Sequence, residues 1–421
     1  MHHNKFKIIV ILCLISSLAR FVLDSYLPSM PGISYDLGSS AATTQLTLTL
    51  YLLGFSLSQL FYGPLSDHYG RKHIILIGLT IFFVGNLACV FALSPNLLIA
   101  ARFIAGVGAG SCGVLNRAIA SDCFKGAEFS KVWSYTTTAL VLTLCIAPVL
   151  GGYIQELWGW RMNFLLSTLV VGAVLCLILQ HLPETHPQKN TPQVLQGGFS
   201  LREVLQNYKI ILVTPPFLAS ALCYMLAFSG LIAYFEVSPL FFIDTLGLSP
   251  SAYGWSSLVI AANYLVGGLF VNRYVHFWGT QGLLIFGAFL QIIGGALMWL
   301  MTGCGNGIAT TLIPIAIYVI GARIVIPNAI AGSMEKLRHL NGSSSALIGF
   351  IQMLGSSLIS FFISRFDNST ALPLALFLTS LGCLTLGFSL LIVKNRILID
   401  LNDAHGIAHW LTVDAISANP L

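Results

Sequence analysis

Arg20, Asp24, Arg102, Glu236 and Arg323 stand inside long apolar runs of the sequence, where charges are rare. A charged side chain at the centre of a hydrocarbon-spanning helix costs roughly 2.5–3.5 kcal/mol on insertion scales, so each needs a partner or a purpose. Arg20 and Asp24 are four residues apart, one helical turn on a shared face. Asp24 precedes Met30, read as the outer end of its run, by six residues; Arg102 follows Asn96, read as the outer start of its run, by six residues. At helical rise both lie about 9 Å deep. A carboxylate between two guanidinium groups that must at some stage loosen its ion pairing is the chemistry of a proton relay. Asp24 is the principal candidate, with Arg102 as its modulator and Glu236 as a second proton site. The plainer alternatives are a permanent structural pair between Asp24 and Arg102 and, for Glu236, an interfacial residue wetted by outside water. Arg117, near the end of its run, reads as a side chain that snorkels to the interface.

The elements that must hold these groups follow from composition. Hydrophobic residues make up 56% of 421 residues and charged residues 8%, with a mean hydropathy of +0.84. A soluble domain carries roughly 25% charged residues, so lipid must be the solvent for most of this chain. Spans of about 20 apolar residues fit at 7–30, 43–66, 73–93, 96–121, 131–155, 162–182, 210–243, 250–272, 280–302, 306–330, 342–365 and 371–394. The expected fold class is all-α membrane protein, twelve transmembrane helices in two six-helix bundles. The N-terminal bundle covers 1–182, a polar linker rich in Pro, Gln, Asn and Gly covers 183–209, the C-terminal bundle covers 210–396, and a polar tail covers 397–421. Lys5 and Lys7 before an apolar run resemble a signal peptide, but no small-residue cleavage site follows, so the run is expected to remain as the first span.

Short-loop cations set orientation. One side holds Lys5, Lys7, Arg71, Lys72, Lys125, Lys131, Lys189, Arg202, Lys209, Arg273, Lys336, Arg338, Lys394 and Arg396, the other only Arg161 and Arg365. Both termini are therefore expected in the cytoplasm. The formal charge of +5 is scattered and forms no basic stripe for nucleic acid. The nine cysteines lie in or beside apolar runs with no metal-ligand spacing and read as small fillers.

The two halves repeat. Val114-Leu115-Asn116-Arg117-Ala118-Ile119-Ala120 matches Val325-Ile326-Pro327-Asn328-Ala329-Ile330-Ala331 at an offset of 211 residues, which also aligns Pro28 with Pro239. Parallel six-span repeats around a midplane site are a known transporter plan. Between spans 2 and 3 the chain reads Gly63-Pro64-Leu65-Ser66-Asp67-His68-Tyr69-Gly70-Arg71-Lys72. This resembles the signature loop of the major facilitator superfamily, with His68 where that family usually has Arg. Arg102-Phe103-Ile104-Ala105-Gly106-Val107-Gly108-Ala109-Gly110 is similar to the family's conserved-arginine segment. Ala147-Pro148-Val149-Leu150-Gly151-Gly152 is similar to the antiporter signature of span 5, with Thr143 and Ala147 in place of its two early glycines. Trp160-Arg161 and Phe164 match the pattern that often opens span 6. Asp24-Ser25-Tyr26-Leu27-Pro28-Ser29-Met30-Pro31 and Pro327-Asn328 resemble the Bcr/CflA drug:proton antiporters.

The resemblance implies a transporter, not an enzyme, that exports small molecules against inward proton flow by alternating access. Gly63, Asp67, Gly70, Arg71 and Lys72 would form a conformational latch, and Pro148, Gly151 and Gly152 would let span 5 pack at the interface of the halves. Counting Arg20, Arg102 and Arg323 against Asp24 and Glu236 leaves one surplus cation, which leans toward neutral, zwitterionic or anionic solutes such as carboxylate metabolites or siderophores. Tyr51, Tyr224, Tyr234, Asn263, Tyr264 and Gln352, with Arg20 and Arg323, are the expected cavity lining. No cofactor is expected beyond the proton gradient; the expected partners are a small-molecule substrate, protons and the bilayer of a bacterial inner membrane, the protein acting as a monomer. A proton-coupled nutrient importer is the alternative within transporters. A membrane enzyme lacks a nucleophile elbow, a paired His/Asp motif or a phosphate-binding loop, and a receptor would need a sizeable soluble output domain.

Overall fold

The computed structural model describes residues 2–185, 201–303, 305, 307–334, 341–366 and 370–417. Among these every regular element is a helix, and eleven helices are long and apolar enough to cross a membrane. One of them, Pro250–Thr302, has 53 residues. Straight, it would be about 80 Å long at helical rise, more than twice a hydrocarbon core of about 30 Å. Gly279 breaks it, at φ 64° and ψ 175°. The rings of Phe270 and Phe286 stack 5.2 Å apart, although a straight helix would hold these positions about 24 Å apart. Two spans are thus folded into a hairpin, and twelve crossings result, as expected.

Span 1 runs Lys5–Asp36, six residues past the end read from the sequence. Pro28 does not terminate it; the helix tightens into a 3-10 turn at Leu27–Ser29 and resumes at Met30. At the repeat-related position, Pro239 is followed by a widened π turn, Leu240–Thr245. Span 7 begins at Pro215 rather than 210, because Thr214 separates it from an amphipathic helix, Leu201–Leu212, that starts in the expected linker and runs three residues past its end. Residues 186–200 of that linker, with Lys189, and also Lys336, Arg338 and Cys304, lie outside the described residues. The final helix runs Leu372–Ser417, so the chain stays helical beyond Lys394. Spans 4 and 8 open on the same signal: Ser94 and Ser249 accept from the backbone N–H groups of Leu97 and Ala252, with proline as the first helical residue.

Within the first half, span 1 packs on spans 5 and 6, span 4 on spans 2 and 3, and span 3 on span 6. Within the second, span 7 packs on spans 10, 11 and 12, and the span 8–9 hairpin on spans 10 and 12. The halves meet through span 2 against span 11 and span 5 against the span 8–9 hairpin. Advancing a span by six positions converts the first pairing into the second, the contact pattern of a two-fold repeat. Large apolar side chains such as Ile77, Leu142, Leu169, Phe289 and Leu384 point outward, the surface a hydrocarbon solvent requires.

Candidate functional site

A cavity of about 540 Å³ lies between the halves. Its wall takes Tyr51, Phe55 and Gln59 from span 2, Asn116 and Arg117 from span 4, Trp133 from span 5, Tyr224, Phe228 and Phe235 from span 7, Tyr264 from span 8, Arg323 from span 10 and Gln352 from span 11, with Arg20 from span 1. On spans 4 and 10 these positions fall in the half nearer the Gly63–Lys72 loop, whereas Phe55 and Gln352 sit at mid-span. Of the expected lining, Arg20, Tyr51, Tyr224, Tyr264, Arg323 and Gln352 are in place. Tyr234 and Asn263 are not. Positions 224, 228, 231, 232 and 235 share one helical face, which turns Tyr234 away into packing, where it is 2% exposed. Asn263 is offset in the same way from Ile260 and Tyr264 and donates instead to the carbonyl of Val259 on its own helix.

Arg20 Nε donates to Asp24 Oδ2 at 2.6 Å. Asp24 is fully buried, does not line the cavity, and its Oδ1 has no hydrogen-bond partner among the described residues. Arg102 forms no ion pair with it among those residues. The Arg102 guanidinium lies 4.5 Å from the Tyr26 ring, 4.3 Å from Tyr51 and 5.7 Å from Phe164. It is fully buried, and none of its three nitrogens is hydrogen-bonded among the described residues. Aromatic faces attract a cation by roughly 0.5–2 kcal/mol each when desolvated, so this cage holds the charge without a carboxylate. Equal depth from the outer ends predicts an Arg102–Asp24 pair, and the depths nearly match: Tyr26, which Arg102 meets, lies two residues or about 3 Å along span 1 from Asp24. Those two residues turn the helix by about 200°, which points Asp24 at Arg20 and away from Arg102. Arg102 meets Tyr26 and Tyr51 instead, and Tyr51 lines the cavity with Arg20. Phe164 comes from the span 6 opening pattern; Tyr26 went unnoticed as a site residue, although its place two residues after an embedded carboxylate was a usable signal.

Away from the loop, the halves are sealed. Glu236 is fully buried rather than wetted; its Oε2 accepts from Ser360, whose hydroxyl shares a 2.6 Å hydrogen bond with that of Thr49. Gln45 donates to the Glu236 carbonyl at 3.2 Å and Ser357 to the Thr49 carbonyl at 3.0 Å. Gln45, Thr49, Ser357 and Ser360 were not singled out from the sequence, though span 2 is the least apolar of the spans. The second seal uses the span 5 signature. A Cβ on Gly151 would collide with the Ser25 carbonyl of span 1, one on Gly152 with the Pro250 carbonyl, and one on Gly254 would stand 2.6 Å from the Pro148 carbonyl. Asn163 donates to the Gly151 carbonyl at 2.9 Å and to Ser29 Oγ at 2.7 Å, pinning span 6 to the same point.

In the Gly63–Lys72 loop, the hydrogen bonds of Arg71 and Lys72 run to residues of the first half. Arg71 donates to Asp67, to Ser66 Oγ at 2.6 Å and to Asp122 Oδ2 at 2.9 Å, and its backbone N–H donates to Glu184 at 2.9 Å. Lys72 does not join Asp67; it donates to the Leu179 carbonyl at 3.0 Å. Gly70 turns the chain at φ 97°, where a side chain would be strained. Gly63 has no such need, since its Cβ would meet Val114 and Ala346 at ordinary contact distances. Asp122 and Glu184, missed from the sequence, become partners only when spans 2, 3, 4 and 6 converge. Arg71→Ala strands the largely buried Asp122, and breaking such a pair costs roughly 3–5 kcal/mol. Thermal unfolding in detergent should show a clear loss for R71A and for Asp122→Ala, with the double variant no worse than the singles. Additive losses would mean the two do not act as a pair.

Two six-span halves, a central cavity and a seal on one side define a membrane transporter. A family model described as Major Facilitator Superfamily matches residues 11–360. The chain belongs to that family and is a multi-pass transporter rather than an enzyme. It is 32% identical to the uncharacterized MFS-type transporter YdgK of Bacillus subtilis, over 86% of this chain and 90% of that one. It is 27% identical to multidrug resistance protein D of Escherichia coli, covering 90% and 93% of the two chains, and 27% identical to a bicyclomycin resistance protein homolog of Haemophilus influenzae, covering 88% and 92%. Among solved structures, the E. coli xylose transporter XylE in a partially occluded inward-open conformation superposes with a TM-score of 0.70 at 14% identity, over 92% of this chain and 97% of that one, a likeness of fold.

Proposed function

We propose that this chain is a proton-coupled exporter of small organic molecules, working by alternating access in a bacterial inner membrane with both termini cytoplasmic. One observation carries the reading: a cavity large enough for a drug-sized solute is lined in part by Arg20, whose only ion-pair partner among the described residues is the buried, cavity-excluded Asp24. That arrangement connects a solute site to a proton site through one side chain. Glu236, buried at the seam with Ser360 and Thr49, is the second proton-coupling residue, since separating spans 2 and 11 would break its hydrogen-bond chain. The multidrug and bicyclomycin resistance names of relatives support export of drug-like solutes. The excess of short-loop Lys and Arg on the Gly63–Lys72 side supports placing that face in the cytoplasm.

The test is proton release from proteoliposomes under an imposed pH gradient, challenged with cationic drugs, neutral drugs and polycarboxylates. Substrate-dependent proton movement opposite to solute movement is expected, weakened in Glu236→Gln. Solute counterflow without proton movement would make the protein a uniporter or exchanger, and proton and solute moving together would make it an importer.

A further inference from the structure

We propose that the cavity is an organic-anion site, in which Arg117 of span 4 and Arg323 of span 10 bind the acidic group of the solute and the aromatic wall holds its apolar body. The inference deepens the exporter reading, on which it rests, by assigning the charge class of what is carried. No Asp or Glu is among the residues that line the cavity, whereas three arginines are. Arg20 is already engaged by Asp24. Arg117 and Arg323 have no carboxylate partner and make no hydrogen bond through their side chains among the described residues. Each is held by a ring instead, Arg117 at 5.5 Å from Trp133 and Arg323 at 4.9 Å from Tyr264.

A ring face attracts a guanidinium without accepting its N–H groups, so the five donors of each fork remain for an acceptor. Carboxylate, sulfonate and phosphate groups match that fork in charge and geometry. A lipophilic cation would enter the same space with no counter-charge and two arginines to repel it, which is discrimination by an adverse contact. Apolar side chains such as Phe55, Phe228, Phe235, Leu231 and Ile348 make up much of the remaining wall, which disfavours small hydrophilic anions as well-matched ligands. The pair also belongs to different halves, on spans equivalent in the repeat. Tyr224 of span 7 lines the same cavity. An anion held by both arginines would therefore sense the separation of the halves. Arg117, read from the sequence as an interfacial snorkel, acquires a specificity role only through this placement.

The test is equilibrium binding by fluorescence polarisation to the full chain in zwitterionic nanodiscs, without any gradient. Carboxyfluorescein and rhodamine 123 share a xanthene body and carry opposite charge. Carboxyfluorescein is expected to bind at least about tenfold more tightly. Arg117→Gln and Arg323→Gln should each weaken it by on the order of tenfold or more, as loss of hydrogen bonds to a charged group predicts, while Arg117→Lys and Arg323→Lys retain most of the preference. Rhodamine 123 binding as tightly as carboxyfluorescein, including no measurable binding of either, overturns the assignment, as do glutamine variants that fold and bind carboxyfluorescein like wild type. If a glutamine variant fails to fold, the wild-type charge preference decides alone. Because no gradient is present, loss of anion preference with substrate-driven proton movement intact overturns this inference only. Anion preference without proton coupling overturns the exporter reading only.

Discussion

Asp24→Asn is expected to eliminate substrate-driven proton movement in proteoliposomes while leaving a folded, membrane-inserted protein that still binds solute. The asparagine side-chain oxygen can accept from Arg20 Nε as the carboxylate does at 2.6 Å, so the local hydrogen bond survives the exchange. What disappears is the capacity to release a proton. Arg20 would be left without its counter-ion, but it borders the cavity rather than the sealed interior, so water can hydrate it there. A buried partner stripped of its counter-charge would cost several kcal/mol; a cavity-lining one costs less. Unfolding of D24N would show that the pair is mainly structural. Normal coupled transport by folded D24N would remove Asp24 from the proton pathway, and Glu236 would then be the carboxylate to test next.

The second large effect is conformational. Gly152→Val should displace the equilibrium away from the state described above, toward one open on the face opposite the Gly63–Lys72 loop. A Cβ at Gly152 meets the Pro250 carbonyl and backbone of Ser251, and these belong to the other half of the molecule. Backbone cannot swing aside as a flexible side chain would, and overpacking of this kind costs roughly 1–3 kcal/mol. Applied to one of two conformations, that amount shifts their ratio by about 5–150-fold. Hydrogen exchange over residues 41–52 and 236–254, which carry the seam, should rise in G152V. Gly151→Val makes the control: its collision is with Ser25 inside the same half, so it should lower the stability of that half without favouring either conformation. Unchanged exchange across the seam in G152V would mean that span 5 and span 8 separate little during the cycle.

Much of this protein is legible in its amino-acid sequence. Twelve crossings follow from run lengths, because a bilayer imposes one length on every span and a helix is the element that satisfies its own backbone there. The hairpin at Gly279 was readable as two spans even though the helix is nearly unbroken through it. Arg20 and Asp24 were placed together by helical periodicity alone, a local relation that needs no tertiary information. The glycines of span 5 were recognisable from a motif whose physical demand is close backbone approach.

The tertiary structure decided everything that depends on which helix faces which. Arg102 meets the Tyr26 ring rather than Asp24 because two residues turn a helix by about 200°, and matching depth along a span does not reveal which way a side chain faces. Glu236 is sealed by Ser360 and Thr49 from spans far away in sequence, and Asp122 and Glu184 meet Arg71 only after four helices converge. Tyr234 and Tyr264 looked equivalent as polar aromatics; a rotation of about 100° per residue along each helix sends one into packing and the other into the cavity. Arg117 changed most. Its sequence position near the end of a span marked it as a residue reaching for water, whereas the crossing of spans 4 and 10 over a shared space brings it into one cavity with Arg323. Residue type and period determine what each helix can offer. Only the packing of twelve of them determines which offers meet.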